Sequence, residues 1–193
     1  MTFAAFAFKN RGLLLALPAA VLAICGRPTA ASIALGVPLA VAGELVRCWA
    51  VGYSGVTTRH DVVTAPELVT AGPYGHVRNP LYLGNLVTAA GFAIAFTGGN
   101  SHPARFALIA GALGAMTALY AIIVPHEEAF LRSQFGTEFE DYVARVPRVV
   151  PQPEPYSPAR GRWRVQAVVS AESKTFVLFG AMLLVLALRA RGA

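Results

Sequence analysis

Long apolar runs separated by short polar breaks organise this chain. Five stretches carry roughly 20 residues each with few charges, the length that crosses a ~30 Å hydrocarbon core as a helix. They fall at roughly 8–25, 30–53, 80–96, 103–125 and 164–188. Gly26-Arg27-Pro28 and Gly98-Gly99-Asn100 supply the turns after the first and third. The fifth is interrupted by Glu172, Ser173 and Lys174. It therefore either begins as a surface helix anchored by Arg162, Trp163 and Arg164, or spans at a tilt with Lys174 snorkelling. The expected fold class is all-α, a multi-pass transmembrane bundle of about five helices. It forms one domain over 1–193: an N-terminal hairpin (8–53), a core (59–151), then a linker and C-terminal helix (152–193).

Beyond Glu128 the pattern stays helical to Gln134, breaks near Gly136 and resumes. Phe135, Phe139, Tyr142, Val143 and Val146 then share one face, opposite Glu138, Glu140 and Asp141. This predicts an amphipathic segment that lies against the membrane or closes over a pocket, ended by Pro147. The proline-rich stretch 151–158 reads as a stiff linker. Gly36, Ala40 and Gly43, and likewise Gly111 with Ala115, predict close helix packing.

Composition agrees with a membrane bundle. Of 193 residues 55% are hydrophobic and 13% charged, against ~25% charged in soluble domains, and mean hydropathy is +0.55. The net charge of +6 sits beside the apolar spans, without the basic stripe interleaved with aromatics that nucleic acid requires. A cytoplasmic N-terminus puts Lys9, Arg11, Arg59, Arg78, Arg132, Arg145, Arg148, Arg160, Arg162 and Arg164 inside, leaving Arg27, Arg105, Arg189 and Arg191 outside. The expectation is an integral protein of a plasma or inner membrane. Lys9 and Arg11 before an apolar run resemble a signal peptide, but further spans follow and a retained helix is expected. Cys25 and Cys48 form no CxxC pair and read as buried thiols. His60, His76, His102 and His126 lack metal-ligand spacing, so no metal site is expected.

The candidate chemistry lies where the third span begins and the fourth ends. Two helices in a hairpin bring Tyr82 and Glu127, 45 positions apart, to the same membrane face. Asn79-Pro80 is a favoured helix start, Asn as cap and Pro at the first turn, and a helix start also suits a ligand carboxylate. Arg78 is either a membrane-edge anchor or a binding cation. Tyr82 is either an interfacial aromatic or a site residue. Glu127 and Glu128 point about 100° apart, so only one can face a pocket squarely. Glu44 and Arg47, three apart in the second span, read as an internal ion pair or as a site. Motifs for nucleotide phosphates, nucleophile elbows and Rossmann turns are missing.

Leu68-Val69-Thr70-Ala71-Gly72-Pro73-Tyr74, then Arg78-Asn79-Pro80-Leu81-Tyr82-Leu83-Gly84, then Glu127-Glu128 with Phe135-Gly136, Tyr142 and Val146-Pro147-Arg148, resemble the isoprenylcysteine carboxyl methyltransferase family. Related phospholipid methyltransferases share parts of the pattern, and the resemblance covers roughly 59–151. It implies a membrane methyltransferase with S-adenosylmethionine as cofactor, bound at the cytoplasmic face by Glu67, Leu68, Val69, Tyr74, Asn79, Pro80, Leu81, Tyr82 and Glu127. Pro66 and Arg59 stand beside them as further candidates. It places Arg78, Tyr82, Glu127 and Glu128 at the chemistry, with a lipophilic small molecule or lipidated partner as methyl acceptor. Two positions depart from the family pattern: Asn79 stands where His is usual, and Ile123 where animal members carry a substrate-binding Arg. Other readings of the same pattern are a lipid amine methyltransferase, a sterol-type reductase using NADPH, and a non-enzymatic membrane scaffold.

Overall fold

A computed structural model describes residues 3–55 and 65–192. Among them all long regular elements are helices: α1 (Phe3–Lys9), α2 (Arg11–Cys25), α3 (Ala30–Ser54), α4 (Pro80–Thr97), α5 (His102–Phe135), α6 (Thr137–Arg145) and α7 (Val165–Arg191). Helices α3, α4, α5 and α7 are each long and apolar enough to span a membrane, and the bent pair α1–α2 together makes a fifth candidate. The protein is an integral multi-pass helical bundle. Arg59 and His60 lie outside the described residues.

The hub is the antiparallel pair α3–α4. A Cβ on Gly91 would sit 2.6 Å from the carbonyl of Gly36 and 2.7 Å from Cα of Ala40, and one on Gly84 would sit 2.9 Å from the carbonyl of Gly43. Small residues on both helices let the backbones touch, which is how helices associate where no hydrophobic effect separates protein from lipid. Ser32 adds a hydrogen bond to the carbonyl of Ala95 (2.8 Å). On one side of this pair α5 packs with α1 and α2 through Ala7, Phe8, Met116, Leu119, Tyr120 and Ile123. On the other side lies α7, whose Phe179 meets Phe92 edge-on at 5.1 Å. Between α4 and α5, Asn100 clasps the turn that joins α2 to α3, accepting from the backbone N–H of Arg27 (2.9 Å) and donating to the carbonyl of Cys25 (3.0 Å).

Several expectations change. The first span is two helices bent by 64° around Asn10. There Asn10 donates its amide to the carbonyl of Phe6 and Arg11 its guanidinium to that of Phe8, side-chain bonds that compete with helix continuation. The expected continuation past Glu128 holds: α5 runs to Phe135, where Gly136 at φ +51° ends it. The fifth is one continuous helix, because fully buried Glu172 is paired with Arg47. Gly111 and Ala115 face outward, and a Cβ on Gly111 meets nothing within 4 Å. The buried stripe of α5 runs instead through Ala112, Met116, Leu119 and Ile123. Cys25 is exposed and Cys48 half-buried, so neither is a core thiol.

These placements separate two glycine substitutions. Gly91→Leu should cost about 2 kcal/mol or more by overpacking the α3–α4 contact. Gly111→Leu should leave thermal unfolding in detergent unchanged, and that measurement checks both.

Candidate active site

The loop from 65 to 79 carries most of the expected site residues and is shaped by three contacts. Gly72 sits at φ +61°, which glycine adopts freely, and the Tyr53 ring lies where a side chain would be, 2.6 Å from the Cβ position. A short 3-10 turn, Gly72–Gly75, follows. The hydroxyl of Tyr142 on α6 then donates to the carbonyl of Tyr74 (2.8 Å), fastening the turn beneath α6. The apolar face of α6 is buried against this loop: Phe139, Tyr142 and Val146 pack on Leu68, with Phe135, Val143 and Tyr156 around them. The amphipathic segment thus closes over the loop. Burial pushes the hydroxyls of Tyr74 and Tyr142 well above the usual tyrosine range, so both remain protonated donors. The Tyr74 hydroxyl faces Ser54, with Glu127 in its neighbourhood.

The stretch 152–160 is tied down as a strap along the same loop. Backbone N–H groups of Thr70 and Ala71 donate to the carbonyl of Arg160 (3.0 and 2.9 Å), that of Gln152 to His76 (3.0 Å) and that of Tyr156 to Gly75 (2.9 Å). An open groove of about 400 Å³ runs over the strap between Arg145, Gln152, Glu154 and Tyr156, and shares no residue with the expected cofactor positions.

Helix α4 begins as the sequence predicts, with Asn79 at the cap position and buried Pro80 in the first turn. The Asn79 side chain does not cap, however; its amide donates to the carbonyl of Arg148 (3.3 Å). The first turn of α4 therefore presents its N–H groups without a side-chain cap, the positive end of a membrane-spanning helix.

At the end of α5 the two glutamates separate as their 100° offset requires. Glu128 turns towards the loop, accepting from Arg78 Nε (3.0 Å), Arg148 Nε (3.1 Å) and Arg148 Nη2 (2.5 Å). Arg78 also donates to the carbonyls of Val143 (3.1 Å) and Val146 (2.5 Å), so its donors are engaged in holding α6 to α5. Glu127 turns into the bundle and accepts the Tyr82 hydroxyl at 2.8 Å. The Tyr82 ring leans on that of Tyr120, with centroids 4.4 Å apart. Arg11 lies in the neighbourhood of Glu127, Tyr82 and Tyr120, its guanidinium 4.0 Å over the Phe8 ring. Thus Tyr82 meets Glu127, Arg78 meets Glu128, and Asn79 meets Arg148. Leu68 is buried under α6, Val69 and Leu81 are half-buried, and the Glu67 and Pro66 side chains are exposed. Ile123 is wholly buried against α1 and α2.

A third polar group, below this level, joins three helices. Arg47 on α3 donates through Nη2 to both carboxylate oxygens of Glu172 on α7 (2.9 and 2.8 Å) and through Nη1 to Asn85 on α4, and lies 3.6 Å from Glu44. The sequence shows Glu44 with Arg47, but Glu172 lies 125 positions away and no local spacing announces it. Asn85 and Tyr120 also escape a motif search. Their signal is position: three residues beyond Tyr82 and seven before Glu127, each turned to the same side as its partner. Among the described residues no three His, Cys, Asp or Glu side chains gather to hold a metal ion.

A family model described as phospholipid methyltransferase matches residues 31–138, the stretch from α3 into α6. Among curated proteins, a probable protein-S-isoprenylcysteine O-methyltransferase of Oryza sativa subsp. indica is 31% identical over 116 residues. Protein-S-isoprenylcysteine O-methyltransferase B of Arabidopsis thaliana is 30% identical over 120 residues. These matches cover 58% and 60% of this chain and 57% of each plant protein. A nickel-cobalt-cadmium resistance protein of Alcaligenes xylosoxydans xylosoxydans is 34% identical over 118 residues, covering 61% of this chain and 47% of that protein. The chain thus spans about half the length of the curated relatives it matches. No solved structure matches it.

Glu128→Ala should leave Arg78 and Arg148 without their shared carboxylate, at a cost of about 3 kcal/mol. Faster proteolysis within 146–160, the strap and the residues leading into it, alongside a lowered unfolding temperature, is the expected readout.

Proposed function

The chain belongs to the phospholipid methyltransferase family, and we propose that it transfers a methyl group from S-adenosylmethionine to a lipophilic acceptor at the cytoplasmic face of the membrane. The observation that carries this reading is the Tyr82–Glu127 hydrogen bond, which joins the start of α4 to the end of α5 inside the family-matched stretch. The residues there fit the cofactor. The uncapped first turn of α4 suits its carboxylate. Glu127 can accept from its hydroxyl or ammonium groups, and the faces of Tyr82 and Tyr120 suit a sulfonium cation. Leu68, Val69 and Tyr74 form the covering wall, with α6 sealing them from water. Arg78 and Glu128 act behind the site, fixing α6 and the strap in place.

When bound, S-adenosylmethionine supplies an electrophilic methyl carbon on a sulfonium. What the protein must add is alignment of the acceptor in line with that carbon, and exclusion of water. A carboxylate acceptor needs no general base, which suits a site whose acidic and tyrosine side chains are held in mutual hydrogen bonds. The names of the plant relatives point to an oxygen acceptor; the family description points to a phospholipid. The whole chain acts as one membrane domain with its N-terminus in the cytoplasm, the side on which its Lys and Arg residues concentrate.

Calorimetry with S-adenosylhomocysteine on the purified protein tests the reading. We expect binding, weakened at least tenfold in Glu127→Gln and in Tyr82→Phe. Wild-type affinity in both variants, or binding of NADPH in place of S-adenosylhomocysteine, would contradict it.

A further inference from the structure

Tyr120 is 5% exposed, and its hydroxyl makes no hydrogen bond of regular geometry, although Asn85 faces it. A buried hydroxyl in a membrane bundle ordinarily finds a partner, so this one is set aside for something. The orientation of Asn85 says for what. Arg47 reaches its amide through Nη1. A guanidinium carries donors only, so the amide oxygen must face Arg47 and the NH2 group must face away from it. Arg47 is itself fixed by the two carboxylate oxygens of Glu172. The side of the site turned into the membrane therefore presents two hydrogen-bond donors, Asn85 Nδ2 and Tyr120 Oη.

Their depth matters as much as their chemistry. Three residues along α4 place Asn85 roughly 5 Å further into the membrane than Tyr82, and seven along α5 place Tyr120 roughly 10 Å further than Glu127. The Tyr120 ring nevertheless touches that of Tyr82. The pair thus adjoins the proposed cofactor contact on its membrane side, where a lipophilic acceptor would bring its polar end.

We propose that Asn85 and Tyr120 form the acceptor pole of the site, donating hydrogen bonds to the oxyanion that takes the methyl group, with Arg47 and Glu172 as positioning residues behind them. This rests on the methyltransferase reading and adds to it which side chains select the acceptor. The oxygen lone pair forms a C–O bond as the C–S bond of S-adenosylmethionine breaks and its electron pair returns to sulfur. The carboxylate and sulfonium charges cancel, giving a neutral ester and a neutral thioether, and no proton moves. Two donors stabilise a carboxylate and orient it in line. An ammonium would meet the Asn85 NH2 group rather than its oxygen, because that oxygen already accepts from Arg47. A site built on matched hydrogen bonds discriminates by orders of magnitude against a group that leaves them unmade.

The test uses the full chain in phosphatidylcholine vesicles with methyl-labelled S-adenosylmethionine, and oleic acid or oleylamine as matched probes. Label should enter oleic acid as an alkali-labile ester and should not enter oleylamine. Asn85→Leu and Tyr120→Phe should each lower kcat/KM for oleic acid at least tenfold, and Asn85→Leu should keep S-adenosylhomocysteine affinity within twofold of wild type. Arg47→Lys, which keeps the charge opposite Glu172, should fall between wild type and Asn85→Leu. Preferred methylation of oleylamine, no label in oleic acid, unchanged kcat/KM in Tyr120→Phe, or a parallel loss of cofactor affinity in Asn85→Leu overturns the proposal. Failure of wild-type protein to bind S-adenosylhomocysteine strikes the methyltransferase reading instead.

Discussion

The backbone-to-backbone contact of α3 and α4 is the constraint on which the other placements depend. Gly36, Ala40 and Gly43 on one helix meet Gly84, Thr88, Gly91 and Ala95 on the other with no room for a larger side chain. In a lipid surround, apolar surface alone gives helices little reason to associate, so shape and buried polar bonds must specify the partner. Close approach here also fixes rotation. It sets Arg47 against Asn85, and it turns Tyr82 towards α5, where Glu127 waits. A wider separation would draw Asn85 away from Arg47 and leave the buried guanidinium without its partner on α4.

Helix geometry then divides labour between neighbours in sequence. Glu128 serves the outer layer, gathering Arg78 and Arg148 so that α6 and the strap lie over the loop. Glu127, one residue earlier, serves the inner layer through Tyr82. The same separation holds at the start of α4, where Asn79 gives its side chain to the Arg148 carbonyl and Tyr82 turns inward. Two sets of polar contacts result, one holding α6 over the loop and one turned into the bundle.

What the sequence made legible follows from these same physical terms. Spans α3, α4 and α5 are long and mostly apolar, and α6 has a clear two-faced pattern, so their existence and the meeting of Tyr82 with Glu127 could be read directly. The faces of α5 could not, because a helix apolar all round carries no sign of which side is buried; hence Gly111 and Ala115 point outward while Ala112 and Met116 point in. The break at Asn10 depends on side-chain bonds to local carbonyls that compete with the helix only weakly. Glu172 reads as an interruption until Arg47, far away in sequence, is seen to neutralise it. Asn85 and Tyr120 belong to no motif, and only the fold shows them side by side below Tyr82.

The account stands on the start of α4 and the end of α5 forming the two walls of one cofactor site. An experimentally determined structure of the protein with S-adenosylhomocysteine bound measures that directly. The account predicts the ligand between the first turn of α4 and the Glu127 carboxylate, with its sulfur turned towards Tyr82 and Tyr120. A ligand held elsewhere, touching neither Glu127 nor the α4 start, would contradict it.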